Sequence, residues 1–431
     1  MINPFDQIVV RQAESDAEID AFYQVSILAF SGGPALEAAV RQERSNHESD
    51  RDFDPRQRRV AIRDGSVVGG YYLFDRWLRI GSSYLSTGCI GGVATHPDHQ
   101  RQGVGLALMG DAIAESDERQ HAMLLLSGIP NYYHRFGYAD VLDITDQVID
   151  RTAVPAEAPD GFTVRPATAA DGPILLAIRE RHYHHYTGCF TRTLDQQQAR
   201  LKQSLDRDNP PIIAFDADGN PRGYLILRRG DSRTRAVEVA TDTWPAAAAL
   251  LRHHSEVVAS QGDSASEITW PLPPDSPTVY QLADNLRVAN PSFGFSPRGW
   301  SVRSQTYQHP SAGWQGRSVS VRRTAESLRP VWHSRLARAS LSWAGVFVLG
   351  VGGEAVAIEI GDETVEVLEA FPADAPVVTI TPERFIQLVW GFRLVSYVAS
   401  QPGSVIPREI IPVLEALFPT SHAWILASDG F

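Results

Sequence analysis

The sequence predicts an α/β (α+β) chain: two tandem mixed-sheet domains of one type, then a terminal α+β domain. Length leaves room for this, since 431 residues at about 150 per domain suit three cores. The stronger observation is an internal repeat. Val10-Arg11-Gln12-Ala13-Glu14-Ser15-Asp16 is echoed by Val164-Arg165-Pro166-Ala167-Thr168-Ala169-Ala170-Asp171, and the turn Asp64-Gly65 by Asp218-Gly219, both at an offset of 154 positions. A Pro/Ala/Gly stretch, Ala153 to Gly161, separates the copies as a linker would. The boundaries that follow are 1–153, 161–300 and 316–431, with a second break near 296–316.

Each element has its own warrant. The segment at Val10 reads as extended and turns at Asp16 into an apolar-periodic helix that carries Phe22 and Tyr23, with Phe30 on it or the loop after it. Val60–Gly65 and Val67–Phe74 are β-rich runs around an Asp-Gly turn, the pattern of a hairpin. Ile90–Thr95 ends a strand, and Leu106, Leu108, Met109, Ala112 and Ile113 mark the helix beyond the next loop. Met123–Gly128 reads as a buried strand. The second copy has Ile212–Phe215 and Gly223–Leu227 around its turn. In the last domain Leu341–Val348 and Ala355–Leu368 read as strands. Thr381 as N-cap with Pro382 and Glu383 opens a helix whose face is Phe385, Leu388, Val389, Phe392 and Val395.

Composition excludes several classes. With 43% hydrophobic and 21% charged residues the chain can build packed cores, so disorder and fibrous repeats are out. Two cysteines, Cys89 and Cys189, cannot make a disulfide framework and suit a reducing cytoplasm. No stretch is long and apolar enough for a membrane span, and Met1–Val10 lacks the pattern of a secretion signal, so the expected location is cytoplasmic with no membrane partner. A net charge of −12 argues against nucleic acid and favours a cationic ligand. His182-Tyr183-His184-His185 with Cys189 matches no metal-ligand spacing, so no metal is expected.

The densest chemical signal is Ile90-Gly91-Gly92-Val93-Ala94-Thr95-His96-Pro97-Asp98-His99-Gln100-Arg101-Gln102-Gly103-Val104-Gly105. A strand, a tight loop and a helix N-terminus with bare glycines at 103 and 105 can present backbone N–H groups to an anion, with the helix dipole adding partial positive charge. Leu108 stands where a dinucleotide fold would want a small residue, and no Gly-Lys-Ser/Thr follows, so neither nucleotide-binding motif fits.

The run resembles the acetyl-CoA loop of the GNAT superfamily of N-acetyltransferases, with Gln100, Gly103 and Gly105 at the motif positions and Val93 and Pro97 before them. The resemblance implies that the main chain at Val93 and Thr95 binds the pantetheine arm, and that Gln100, Arg101, Gln102, Gly103, Gly105 and Leu106 bind the pyrophosphate. Asn131-Tyr132-Tyr133-His134-Arg135-Phe136-Gly137-Tyr138 is similar to the family's Tyr-x-x-x-Gly-Phe/Tyr segment and makes Tyr133 the expected acid for the departing thiolate. Core packing is the better reading for Tyr132 and Tyr138. In this superfamily Phe22 and Phe30 would border the acceptor channel, with core packing the equal alternative.

The three-part layout resembles the enhanced-intracellular-survival (Eis) family, whose last domain is sterol-carrier-like. Its most specific signs are Tyr133–Tyr138 and the ending Asp429-Gly430-Phe431. The resemblance implies a general base in the terminal carboxylate of Phe431, against the alternative of a frayed tail, and a homo-oligomer, the family tending to hexamers. Adding 154 to Gly103 lands at Val257, where there is no glycine, so the second copy is expected to be non-catalytic. The expected activity is acetyl transfer from acetyl-CoA, without a metal, directly to a primary amine of an aminoglycoside, polyamine, peptide or lysine. A non-catalytic CoA- or lipid-binding protein is the alternative.

Overall fold

The computed structural model describes residues 8–31, 37–48, 53–230, 233–262, 264–287, 300–339, 341, 343–361 and 364–431. Contacts divide the chain into two compact units: Met1–Leu142 with His309–Ser421 and Phe431, and Asp143–Gln308 with His422–Gly430.

The first unit opens with strand β1 (Val9–Gln12), helices α1 (Asp16–Ser31) and α2 (Glu37–Glu48), and strands β2 (Arg58–Arg63), β3 (Ser66–Ile80) and β4 (Ser83–Thr95). Helix α3 (Val104–Glu118), β5 (Met123–Gly128) and the short β6 (Ala139–Asp140) follow. The β2–β3 connection is the Asp-Gly hairpin turn, with φ of 50° at Asp64 and 75° at Gly65, values that a β-branched or bulky residue would resist. Two adjacent glycines of β3 let helices sit close on both sides of the sheet. A Cβ on Gly70 would meet the Phe22 ring of α1 at 2.5 Å, and one on Gly69 would meet Val104 of α3 at 2.8 Å. Since neighbouring strand residues face opposite ways, α1 and α3 cover opposite faces.

The second unit holds β7 (Ile144–Asp150), β8 (Thr163–Pro166), α4 (Gly172–Tyr183), α5 (Leu194–Asp206), β9 (Ile212–Phe215), β10 (Pro221–Leu227), β11 (Ala236–Thr241), α6 (Trp244–Ser260), β12 (Glu267–Pro271), α7 (Pro277–Asn285) and β13 (Val302–Tyr307). Its strands β8, β9, β10 and β11 neighbour one another in that order, as β1 to β4 do in the first unit. Val164 pairs with Ala214 as Val10 pairs with Ala61, and Arg165 bonds Asp171 as Arg11 bonds Glu18. Strand β7 lies between β12 and β13, so it goes with the second unit and the contact boundary at 142/143 precedes the linker boundary at 153.

Returning to the first unit, β14 (Gly313–Ser318) joins its sheet, giving the order β1-β2-β3-β4-β5-β14-β6. Helix α8 (Val321–Leu336) carries Pro330, and the amide of Val331 donates to the buried Ser83 Oγ at 3.1 Å. Strands β15 (Gly345–Val351), β16 (Glu354–Ile360), β17 (Val365–Leu368) and β18 (Val377–Ile380) form a second sheet, followed by α9 (Pro382–Val389), α10 (Val395–Ala399) and α11 (Ile411–Leu417). The run expected as one strand over 355–368 is two, β16 and β17 pairing antiparallel. The helix expected to carry Phe392 and Val395 stops at Val389. Gly391 adopts φ 65°, its amide bonds Leu388 O and that of Phe392 bonds Gln387 O, both at 2.9 Å, a Schellman termination.

Candidate active site

The site begins with a defect in β4. Tyr72 pairs with Gly91 while Gly70 pairs with Ala94, so β4 carries an extra residue against β3. Gly92 takes φ 58° at this bulge, and a Cβ there would run into the Tyr72 ring at 2.6 Å. On its other side β4 runs parallel to β5 only from Thr87↔Met123 to Ile90↔Leu126. Both strands continue, but apart. Their facing main-chain groups beyond Ile90 and Leu126 have no ladder partner, and such groups need one from a ligand or water.

A cavity of about 560 Å³ occupies this opening. Ile90, Gly91, Gly92, Val93 and Thr95 line it from β4, and Leu126 and Ser127 from β5. At one end is the start of α3. Gly103 is its N-cap at φ 89°, a conformation that excludes most side chains, and offers no side-chain bond to the first-turn amides. Gln100, Arg101 and Gly105 reach the cavity, with Arg101 itself at φ 59°. Of the other residues expected there, Gln102 accepts from Arg63 at 2.7 Å and donates to Asp98 O at 2.8 Å, and Leu106 is 50% exposed on the helix surface. Neither lines the cavity; Gly103 shapes it through the backbone. The bare amides, the glycine at 105 and Arg101 fit a pyrophosphate, and the open strand edges fit the amides of a pantetheine arm.

At the other end lie two phenols and the end of the chain. Tyr133 begins a 3₁₀ turn, Tyr133–Phe136, closed by Gly137 at φ 78°. Its ring packs on Gly128 at the end of β5, where a Cβ would fall 2.4 Å from the ring. Tyr133 is 7% exposed, lines the cavity, and has its pKa pushed up to about 12, by burial first and by Tyr132 second. It therefore stays a proton donor at any physiological pH. Tyr138 is core, as expected; Tyr132 is partly buried against that core and also lines the cavity, its hydroxyl 2.2 Å from where a Cβ on Gly105 would stand. The Arg135 guanidinium sits 5.0 Å from the Tyr132 ring centre.

Phe431 also lines the cavity. Its carboxyl carbon would be 3.0 Å from a Cβ on Gly91, and its ring contacts Trp314 and Phe74 at centroid distances of 5.5 and 6.2 Å. The glycine at 91 thus makes room for the main chain of Phe431 beside β4. Phe30 lines the cavity, together with Ala29, whereas Phe22 is wholly buried against Tyr72 and Gly70 and takes no part in the wall. Sequence reasoning missed Ser127, Ile129 and Tyr132. It also passed over the Gly91-Gly92 pair as a bulge, although paired glycines inside a strand are the signal for one.

Two further reactive groups, Cys89 and His182, are buried away from the cavity wall. Cys89 is fully buried and its thiol is pushed up by burial, which leaves no thiolate for a covalent route. His182 is buried between Thr241 O at 3.2 Å and Ser276 Oγ at 3.4 Å. The loop of the second unit equivalent to 96–103 is not at Val257, which lies inside α6, but at Asp242-Thr243. There two residues join β11 to α6, and Thr243 caps the helix itself by accepting from Ala246 N. A cap made by the chain's own hydroxyl, over so short a loop, leaves no cradle. Among the described residues no helix is long and apolar enough to cross a membrane.

Residues 10–141 match the family model of the acetyltransferase (GNAT) domain. No curated protein matches the chain. Among solved structures it is similar to a GCN5-related N-acetyltransferase from Anabaena variabilis ATCC 29413, at 15% identity and TM-score 0.72 over 98% of this chain and 100% of that one. It is also similar to a GCN5-related N-acetyltransferase from Kribbella flavida (16%, TM-score 0.71, 98% of each chain) and to Eis1 from Mycobacterium abscessus (18%, TM-score 0.65, 98% of this chain and 100% of that one). At these identities the likeness is one of fold, and it runs the length of the chain.

Proposed function

We propose that the chain is an acetyl-CoA-dependent N-acetyltransferase that passes the acetyl group directly to a primary amine. The observation that carries this is the meeting of three parts on one cavity: the cradle at α3, the phenol of Tyr133 and the carboxylate of Phe431. The amine nitrogen attacks the thioester carbonyl carbon, a C–N bond forms, and collapse of the tetrahedral species breaks the C–S bond. The ammonium proton passes to the Phe431 carboxylate, directly or through water, and Tyr133 protonates the departing sulfur. The products are an amide and free CoA, and the proton held by Phe431 is the equivalent of the one that Tyr133 gave up.

Within this reading Val93, Thr95, Gln100, Arg101 and Gly105 hold the co-substrate, with Gln102, Gly103 and Leu106 shaping the loop, and Phe30 borders the acceptor. The acceptor is a cationic amine such as an aminoglycoside, a polyamine or a lysine side chain, suited to a protein of net charge −12. The layout is of the Eis type, with a catalytic first domain, a non-catalytic second copy, a sterol-carrier-like last domain and assembly of several chains.

The test is release of free CoA from acetyl-CoA in the presence of spermidine, kanamycin and a lysine peptide. Wild-type protein turns over at least one amine, and a protein extended by a few residues beyond Phe431 loses most of that rate while still binding CoA. An extended protein with the wild-type rate would remove Phe431 as the base, and no CoA release with any amine would overturn the activity.

A further inference from the structure

A second cavity, of about 270 Å³, lies wholly within the second unit, between α5, the ends of β10 and β11, and Ser428. Its wall carries four arginines, Arg192, Arg200, Arg207 and Arg229, against one carboxylate, Glu238. Local charge of this sign is unexpected in a chain of net −12. Two of the four are accounted for. Arg192 bonds Asp429 at 2.7 Å and lies 3.6 Å from Glu238, while Arg200 bonds Ser428 O and lies 3.5 Å from Asp429. Glu238 is in turn held by Tyr224 and Ser428, so it has little left to offer a neighbour. Arg207 and Arg229 are exposed at the rim, and among the described residues neither has an ion-pair partner. Guanidinium groups gathered around one space repel each other, and an oxyanion relieves the repulsion by taking paired N–H donors. Beside them Leu201, Ile226, Leu227 and Val237 give the cavity an apolar floor.

We infer that this cavity is a binding site for a small organic oxyanion, a carboxylate or phosphate on a short apolar stem. Arg207 and Arg229 grip the acidic group and the leucine and isoleucine side chains receive the stem. The site is separate from the acetyl-transfer cavity and does not depend on that activity. Titration calorimetry at constant ionic strength, on the full chain, tests it with inorganic phosphate, butyrate and phenyl phosphate as probes. Wild-type protein binds at least one of them saturably, and the comparison of butyrate with phenyl phosphate tells which headgroup the site takes. The double variant Arg207→Ala/Arg229→Ala binds that probe at least tenfold more weakly. Its melting temperature without ligand is unchanged or higher, since two repelling charges are gone and neither side chain is buried. Absence of saturable binding in the wild type, or equal binding by wild type and variant, would overturn the inference.

Discussion

At the residue scale one hydrogen atom separates an open cradle from a blocked one. Gly105 has the Tyr132 hydroxyl 2.2 Å from its would-be Cβ, while the ring carbon that bears it is 3.4 Å away, an ordinary contact. Gly105→Ala therefore displaces the Tyr132 ring, which its contacts to Arg135 and Tyr133 otherwise hold. CoA affinity is expected to fall about tenfold, roughly 1.4 kcal/mol, and the double variant Gly105→Ala/Tyr132→Phe recovers most of it. Calorimetry with CoA on the wild type and the two variants checks this, and equal affinities for all would detach Tyr132 from the cradle. Tyr133 makes a second case. Tyr133→Phe keeps the ring on Gly128 and removes the proton, so kcat drops about 100-fold with CoA affinity intact. Because burial pushes this phenol up to about 12, the wild-type kcat has no falling limb up to about pH 10. A limb centred near 9 would mean another acid. The tyrosine was legible from its segment. The divergent fates of Phe22 and Phe30 were not, because two aromatics on one amphipathic helix differ only in which neighbours the sheet brings to them.

At the element scale the cradle and its degenerate copy show what a sequence offset can and cannot reveal. The repeat was legible because both copies keep the extended segment, its Arg–acid bond and the hairpin. The offset then failed across the loop, where eight residues between β4 and α3 shrink to two between β11 and α6. A deletion of that kind moves every later equivalence and leaves no local mark. The insertion of β14 beside β5 was hidden for a different reason: strand partners far apart in sequence are chosen by tertiary packing, not by propensity. The stop of α9 at Val389 was in reach, since Gly391 is the usual residue for such a cap. With Thr243 occupying the helix start in the second unit, the chain is expected to bind one CoA. Gly103→Glu, which forces a side chain into φ 89° and sets a negative charge at the helix start, is expected to bind none. A stoichiometry of two in the wild type, or unchanged binding by Gly103→Glu, would place the cradle elsewhere.

At the scale of the folded unit, acid stability is set by buried groups of opposite behaviour in Asp143–Gln308 with His422–Gly430. Burial works against ionisation of Asp429, yet Arg192 and Arg179 more than offset it and hold the carboxyl well below the usual range. The stability it contributes is present at all pH values above that range and is lost only in stronger acid. Removing the charge is another matter: Asp429→Asn takes from the buried Arg179 and Arg192 the carboxylate they share and leaves them Glu180 at 2.7 Å and Glu238 at 3.6 Å, a loss expected at about 3 kcal/mol and read by chemical denaturation at pH 7.

The histidines act at milder pH. His254 is buried with Nδ1 accepting from Trp270 Nε1 at 3.0 Å, which places its proton on Nε2, facing Arg233 O at 2.6 Å. Protonation would break the Trp270 bond at a fully buried ring, and burial pushes both His254 and His182 down to about 4. In the unfolded chain both titrate near 6.5, so between pH 6.5 and 4 the unfolded state holds more protons and stability falls with falling pH. The slope for two such groups approaches about 2.7 kcal/mol per pH unit in that window. His254→Gln keeps an acceptor for Trp270 and a donor for Arg233 but cannot titrate, so it lowers the slope by the share of one group. Urea unfolding of the second unit at pH 7, 6 and 5 measures it, followed by hydrogen exchange at α6 and β12 so that the transition belongs to this unit. A variant with the wild-type slope would show that His254 is not the group that titrates, and the acid sensitivity would then have to come from groups other than this buried imidazole.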